Sequence, residues 1–356
     1  MGGQNVRPYK TIVGASTASR INIGDTMKDT FKREIKYMRI SLTELCNLRC
    51  RYCMPEEGVC KKSHEEMLTQ EEIITAVKVA SRLGVTKIRL TGGEPLVKKD
   101  IVQLVSRIKE VDGIEEVCIT TNASLLPLYA KDLKKAGLDR INISLDTLNP
   151  EKFKYITRVG ELKDTLAGID AAINTGFKKI KINSVLIGGF NDDEIVDLAN
   201  LTLKQPTDVR FIELMPMYDS GDFGKDAFIP SVIVIEKIKE AYKGKFANDD
   251  DIIKEVEHTK GGVARTYRIN GAMADVGLIS AVSNHFCNEC NRIRLTADGK
   301  LKPCLHSNQE ILIKGLDESA MEEKFKEAIL AKPEKHDVLS YTSRSHAERN
   351  MNQIGG

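Results

Sequence analysis

The residues of this chain best suited to chemistry are three cysteines, Cys46, Cys50 and Cys53, separated by three and then two residues. Soft thiolates gathered on one short loop select iron-sulfur clusters, zinc or copper(I) over hard cations. A cubane 4Fe-4S cluster takes four protein thiolates, one per iron, so a loop with three leaves one iron open to a small molecule. Structural zinc is the alternative, but it takes four ligands in two paired clusters, and Cys60 is the one further cysteine nearby. Cys287, Cys290 and Cys304 form a second group of three, with spacings of two and thirteen residues. A Cys-x2-Cys pair alone suits zinc as well as iron, and a small zinc knuckle stays open for this group.

Between the last two cysteines lies Asn291-Arg292-Ile293-Arg294-Leu295. In a strand, residues i and i+2 share a face, so Arg292 and Arg294 present two guanidinium forks together, a geometry that fits phosphate oxygens. The ordinary alternative is a solvated face. Arg39, Arg89, Lys181 and Arg210 also fall in strand-like runs, where an inward charge is costly without an anionic ligand. The chain has no Gly-x4-Gly-Lys-Ser/Thr loop. A nucleotide would have to be held by scattered cations.

The elements that must position these residues alternate. Strand-like runs cover residues 37–43, 87–91, 117–121, 140–146, 179–186 and 208–215, and helical patterns fall between and after them. Thr69-Gln70-Glu71-Glu72 is a capping box ahead of the stripe Ile73, Ile74, Val77 and Ala80. Ile101, Leu104, Val105 and Ile108 form a second stripe, and later helices end near Lys135, Asn174, Leu203 and Tyr242. Strands separated by helices pair in parallel. Six such units without a Gly-rich fingerprint after the first strand indicate an α/β fold, an incomplete (βα)6 TIM-like barrel. The first cysteine loop would then sit at the C-terminal rim of strand one. After residue 243 the pattern turns to short strands at 263–269 and 273–279 around Asn270-Gly271. The expected organisation is an N-terminal extension over 1–26, a barrel over 27–243 and a small C-terminal cluster-binding region over 244–356.

Composition narrows the class. The 356 residues are 41% hydrophobic and 29% charged, with net charge +2, as in a soluble globular protein with no global field for nucleic acid or anionic membrane. No apolar run is long enough to span a bilayer, and six of the eight cysteines read as ligands in a reducing compartment. A cytoplasmic location is expected. Residues 1–26 hold Arg7, Lys10 and Arg20 with one acid, Asp25. They read as a disordered extension or a late start at Met27, with a transit-like segment as the sharper alternative.

A resemblance adds to this reading. Cys46-x3-Cys50-x2-Cys53 with Tyr52 resembles the motif of radical S-adenosylmethionine enzymes, and Thr91-Gly92-Gly93-Glu94-Pro95 resembles their glycine-rich loop. The second cysteine group with Arg292 and Arg294, Arg210-Phe-Ile-Glu-Leu-Met215-Pro216 and the terminal Gly355-Gly356 is similar to the GTP 3',8-cyclase family of molybdenum cofactor biosynthesis. The resemblance spans residues 27 to 356. It implies two 4Fe-4S clusters held by the six cysteines, S-adenosylmethionine as cosubstrate, and a 5'-deoxyadenosyl radical that takes hydrogen from C3' of GTP so that C3' attacks C8. It also implies a lyase that makes 3',8-cyclo-7,8-dihydro-GTP.

Carried over by position, Tyr52, Gly93, Ser144 and Met215 would contact the cosubstrate. Arg39, Arg89, Thr120, Lys181, Arg292 and Arg294 would contact GTP, with Arg292, Arg294, Gly355 and Gly356 in catalytic roles. The implied partners are an electron donor, a downstream cyclic pyranopterin monophosphate synthase and a second copy of the chain in a homodimer. Glu44-Leu45 departs from the acid-arginine pair common before the first cysteine. Cys60 has no task, and Cys118 reads as a small core residue. A peptide-modifying radical enzyme with an auxiliary cluster is the alternative within the superfamily. A zinc-stabilised nucleotide-binding module is the alternative outside it.

Overall fold

In the computed structural model the described residues are 27–63, 65–217, 223, 227–256, 262–336, 345 and 347–355. The extension over 1–26 and Gly356 lie outside them. Six parallel strands form the centre of one sheet: β1 (Tyr37–Ser41), β2 (Lys87–Thr91), β3 (Glu116–Thr121), β4 (Arg140–Ser144), β5 (Ile180–Leu186) and β6 (Thr207–Glu213). Helices α1 (Gln70–Arg82), α2 (Ile101–Lys109), α3 (Leu126–Lys135), α4 (Pro150–Thr157), α5 (Leu162–Asn174), α6 (Ile195–Ala199), α7 (Leu201–Lys204) and α8 (Ile233–Tyr242) separate or follow them. The capping box forms: Thr69 Oγ1 accepts from the Glu72 amide and Glu72 accepts from the Thr69 amide.

Strand periodicity divides the sheet chemically. Along β5 and β6 every second side chain is buried, and those between are half-exposed. Ile180, Ile182, Val209 and Phe211 belong to the apolar core under the helices. Their neighbours Lys181, Asn183, Asp208 and Arg210 point the other way, as a two-residue period requires. The inner side of this sheet is therefore polar, unlike the packed apolar layers that fill a closed barrel.

Two features differ from the sequence pattern. Where one helix was expected between β4 and β5 there are two, broken at Arg158, which sits at φ 64. A Cβ on the following Gly160 would stand 2.6 Å from Leu48 Cδ2, so the break falls where the helix layer meets the first cysteine loop. The second feature concerns the C-terminal residues, which continue the same sheet from both edges. β9 (Val276–Ile279) pairs in parallel with β6 and is followed outward by β8 (Arg265–Ile269) and β7 (Ile253–Val256). β10 (Arg292–Leu295) pairs in parallel with β1, and β11 (Lys300–Lys302) and β12 (Ile311–Leu312) extend that side. The twelve-stranded order ends on β12 at one side and β7 at the other, so the sheet does not close. Helix α9 (Glu318–Leu330) packs on α1, and a last short helix, α10 (Met351–Ile354), precedes Gly355.

Candidate active site

The first cysteine loop leaves the C-terminal end of β1 and is knitted to the loop after β2. Gly93 N donates to Thr43 O at 2.7 Å and Glu94 N to Leu45 O at 2.8 Å. A Cβ on Gly93 would stand 2.2 Å from Leu45 O, so only glycine fits this crossing. Two arginines hold the loop, one within it and one from the helix layer: Arg49 Nη1 donates to Cys46 O at 2.6 Å, and Arg158 Nη1 donates to Arg49 O at 2.8 Å. Tyr52 donates its hydroxyl to Asp146 Oδ2 at 2.7 Å. Burial drives the thiols up, to about 11 for Cys46 and about 12 for Cys53, and Cys50 well above its usual range. Burial also raises Glu94 to about 7 and Asp146 to about 6.

The second cysteine group lies at the other end of the sheet. Because β10 runs parallel to β1, Cys287 and Cys290, just before it, sit at the N-terminal end of the strands. Strand β11 returns antiparallel, with Lys302 opposite Arg294, and brings Cys304 to that same end. Lys332 Nζ donates to Arg292 O at 3.0 Å and Pro303 O at 2.9 Å, while Arg33 Nη1 donates to Cys287 O at 2.7 Å. Burial would raise Cys290, but Lys332 and Arg292 more than offset it and bring the thiol to about 7.

Between the two ends lie the cations. The register sets Arg294 beside Arg39, Arg39 beside Arg89, and Arg89 beside Cys118, which is followed by Arg140. Thr120, Asn142, Lys181 and Asp208 form the next row across β3 to β6. Arg292 is opposite Tyr37 and lies 5.1 Å from the Phe286 ring centroid. Ser144 is opposite Asn183 at the rim of β4, and Met215, just past β6, packs near Met217 and the tail helix. Arg39, Arg89, Thr120, Lys181, Arg292 and Arg294 thus share the inner side of the sheet. Only Glu116 and Asp208 among their row neighbours carry negative charge.

These charges repel. Burial and Arg294 push Arg39 well down, burial and Arg292 bring Arg294 to about 10, and burial and Arg89 bring Arg210 to about 10. Arg210 and Arg294 stay protonated at such values, so the repulsion is a cost that an anion in the cleft would relieve. Buried polar atoms with no protein partner gather here as well: Arg89 Nε, both side-chain amide atoms of Asn142 and Asn183 Oδ1. Such groups ordinarily find a partner, and a ligand with several acceptors would supply one.

The donor sets also fit iron-sulfur clusters. Cys46, Cys50 and Cys53 at one end, and Cys287, Cys290 and Cys304 at the other, are free, half-buried thiols, three at each site, and soft sulfur donors in that number suit a cluster with one open iron. Thiols with raised values remain protonated until a metal displaces the proton, so assembly of the first site releases protons.

The chain is similar to known proteins. Residues 40–202 match the Radical SAM superfamily and residues 207–338 match Molybdenum Cofactor Synthesis C. A GTP 3',8-cyclase of Alkaliphilus oremlandii is 50% identical over 335 residues, covering 93% of this chain and all of that protein. One from Moorella thermoacetica is 44% identical over 335 residues, with the same coverage. The chain belongs to the GTP 3',8-cyclase family. It is a radical SAM enzyme of that family, with two 4Fe-4S clusters and S-adenosylmethionine as its cofactors. Streptococcus suis SuiB shares the fold at a TM-score of 0.60 and 15% identity, over 85% of this chain and 68% of that one.

Several residues of this family member had no signal in the sequence. Arg140 and Tyr37 join the inner row by register alone, and Arg33, Lys332 and Arg158 act on cysteine loops far away in the chain. Cys118 is buried, as expected, but it faces Arg89 and Arg140 on the polar side. The tail reaches the site. Arg294 Nη1 donates to Gly355 O at 2.6 Å, and a Cβ on Gly355, at φ 77, would stand 2.5 Å from Thr91 Cγ2.

Proposed function

We propose that this chain converts GTP to 3',8-cyclo-7,8-dihydro-GTP in the first step of molybdenum cofactor biosynthesis, as a lyase. The observation that carries the reading is the placement of two three-cysteine sites at opposite ends of one strand row with arginines and a lysine between them. Once bound, the first cluster would supply an electron to the carbon-sulfur bond of S-adenosylmethionine and so a 5'-deoxyadenosyl radical.

The chain's own residues bind, orient and shield. Cys46, Cys50 and Cys53 would hold the first cluster, and Tyr52, Gly93, Ser144 and Met215 would contact the cosubstrate at the rim. Arg39, Arg89, Thr120, Lys181, Arg292 and Arg294 take the triphosphate by charge-assisted hydrogen bonds. Cys287, Cys290 and Cys304 would hold the second cluster at the far end of the strand row, on the side that would receive the guanine. Gly355 enters the rim without a side chain, and a catalytic part for Gly356 falls outside the described residues. Among the described residues no helix is long and apolar enough to cross a membrane. A cytoplasmic homodimer that receives electrons from a donor protein and passes product to a cyclic pyranopterin monophosphate synthase completes the proposal.

Anaerobic incubation of iron-replete protein with GTP, S-adenosylmethionine and a reductant should yield 5'-deoxyadenosine and a cyclised nucleotide together. Deoxyadenosine without a nucleotide product, at any GTP concentration, would overturn the substrate assignment.

A further inference from the structure

The tail helix α10 is short, and a helix of four residues does not hold itself in place. What precedes it is a buried ionic network. Arg349 Nε donates to Glu310 Oε1 at 2.6 Å, and its Nη2 donates to Glu310 Oε2 at 2.8 Å and Asp298 Oδ2 at 2.9 Å. Its Nη1 lies 3.8 Å from Glu44 Oε1. Lys62 Nζ closes the ring, at 2.6 Å from Glu44 Oε1 and 3.4 Å from Asp298 Oδ2. Each of these side chains is largely covered: Arg349 is 15% exposed, Glu310 16% and Glu44 6%.

The network ties together four parts of the chain. Glu44 begins the first cysteine loop, Asp298 lies in the turn between β10 and β11, Glu310 precedes β12, and Arg349 enters the tail. Past Arg349, Asn350 N donates to Gln353 Oε1 at 3.0 Å and so caps the start of α10. Asn352 Nδ2 then donates to Glu44 O at 3.1 Å, and Gly355 O accepts from Arg294. The guanidinium and the helix after it therefore grip the same residue, Glu44, from its side chain and its backbone.

We propose that Arg349 is the positioning residue for the C-terminal tail. Its two-pronged hold on Glu310, together with Asp298 and Glu44, sets the entry angle of α10 and so delivers Gly355 to Arg294 at the rim. A carboxylate bound by a planar fork fixes direction as well as distance, which a lysine at this position would not do. The proposal rests on the functional reading above only in calling the tail's place useful to turnover; the hold itself is independent of it.

The test compares wild-type holoenzyme with R349Q and R349K, both assembled anaerobically and matched for iron. Amide exchange over residues 351–355 should rise about tenfold or more in R349Q with the barrel strands unchanged, and R349K should fall between. Turnover in R349Q should drop about 10- to 100-fold, as a misplaced group close to reacting atoms costs. Unchanged protection of the tail amides would overturn the hold. A freed tail with normal turnover would overturn the positioning role. The exchange measurement needs no substrate, so its failure is distinct from failure to convert GTP.

Discussion

The two cysteine sites have the same ligand count and opposite surroundings. At the C-terminal rim, burial raises Cys46, Cys50 and Cys53, and the neighbouring ionisable groups include the carboxyls of Glu94 and Asp146. At the N-terminal end, Lys332 and Arg292 draw Cys290 down to about 7, although Cys287 is still raised by burial. A rim with carboxyls nearby suits a cosubstrate that carries a sulfonium and an ammonium group. An end with lysine and arginine suits a polyanion. Ligand number thus leaves an iron open at each site, and the charge around the site selects what that iron meets.

The largest effects should come from removing one ligand at each end. C46S should abolish both deoxyadenosine formation and nucleotide product, at least about 1000-fold, whereas C290S should lose the nucleotide product yet keep uncoupled cosubstrate cleavage, each with about four of eight irons lost. Iron analysis with both product assays checks this, and loss of cleavage in C290S would erase the division of labour. Intermediate effects belong to the row between the ends. R89A removes a charge-assisted contact worth about 1.5–3 kcal/mol, so the KM for GTP should rise about 10- to 100-fold while that for the cosubstrate holds.

Lys181 adds a pH signature. Burial and Arg210 bring it to about 8, so it is cationic below that pH and neutral above. GTP affinity by calorimetry should weaken about three- to tenfold from pH 7 to 9, and K181M should flatten the profile. The smallest effect is at the rim. Y52F removes the hydroxyl donated to Asp146 and should raise the KM for the cosubstrate about three- to tenfold with GTP kinetics unchanged. An equal change in both constants would mean the two ends are not separately tuned.

Much of this was legible in the residues, for a physical reason. The alternation of β-branched runs with capped helical stripes reports local periodicity, so the six parallel strands fell within two residues of expectation. Cys46, Cys50 and Cys53 share one loop, and Arg292 and Arg294 share one strand, so their convergence is also local. The split at Arg158 was not visible, because Gly160, beside it, meets Leu48 of the first cysteine loop only in the folded chain. Strands β7, β11 and β12 are short and gain their stability from pairing with neighbours, which no window of sequence contains.

By itself the sequence determined which atoms could bind iron, which cations could meet phosphate, and that parallel strands would carry them. Their arrangement was decided by tertiary pairing. Parallel addition of β10 to β1 sends the second cysteine group to the end of the sheet opposite the first and aligns Arg294 with Arg39 and Arg89. The polarity of a strand is fixed by its partner, and residues more than two hundred positions apart learn which end they occupy only when the sheet forms.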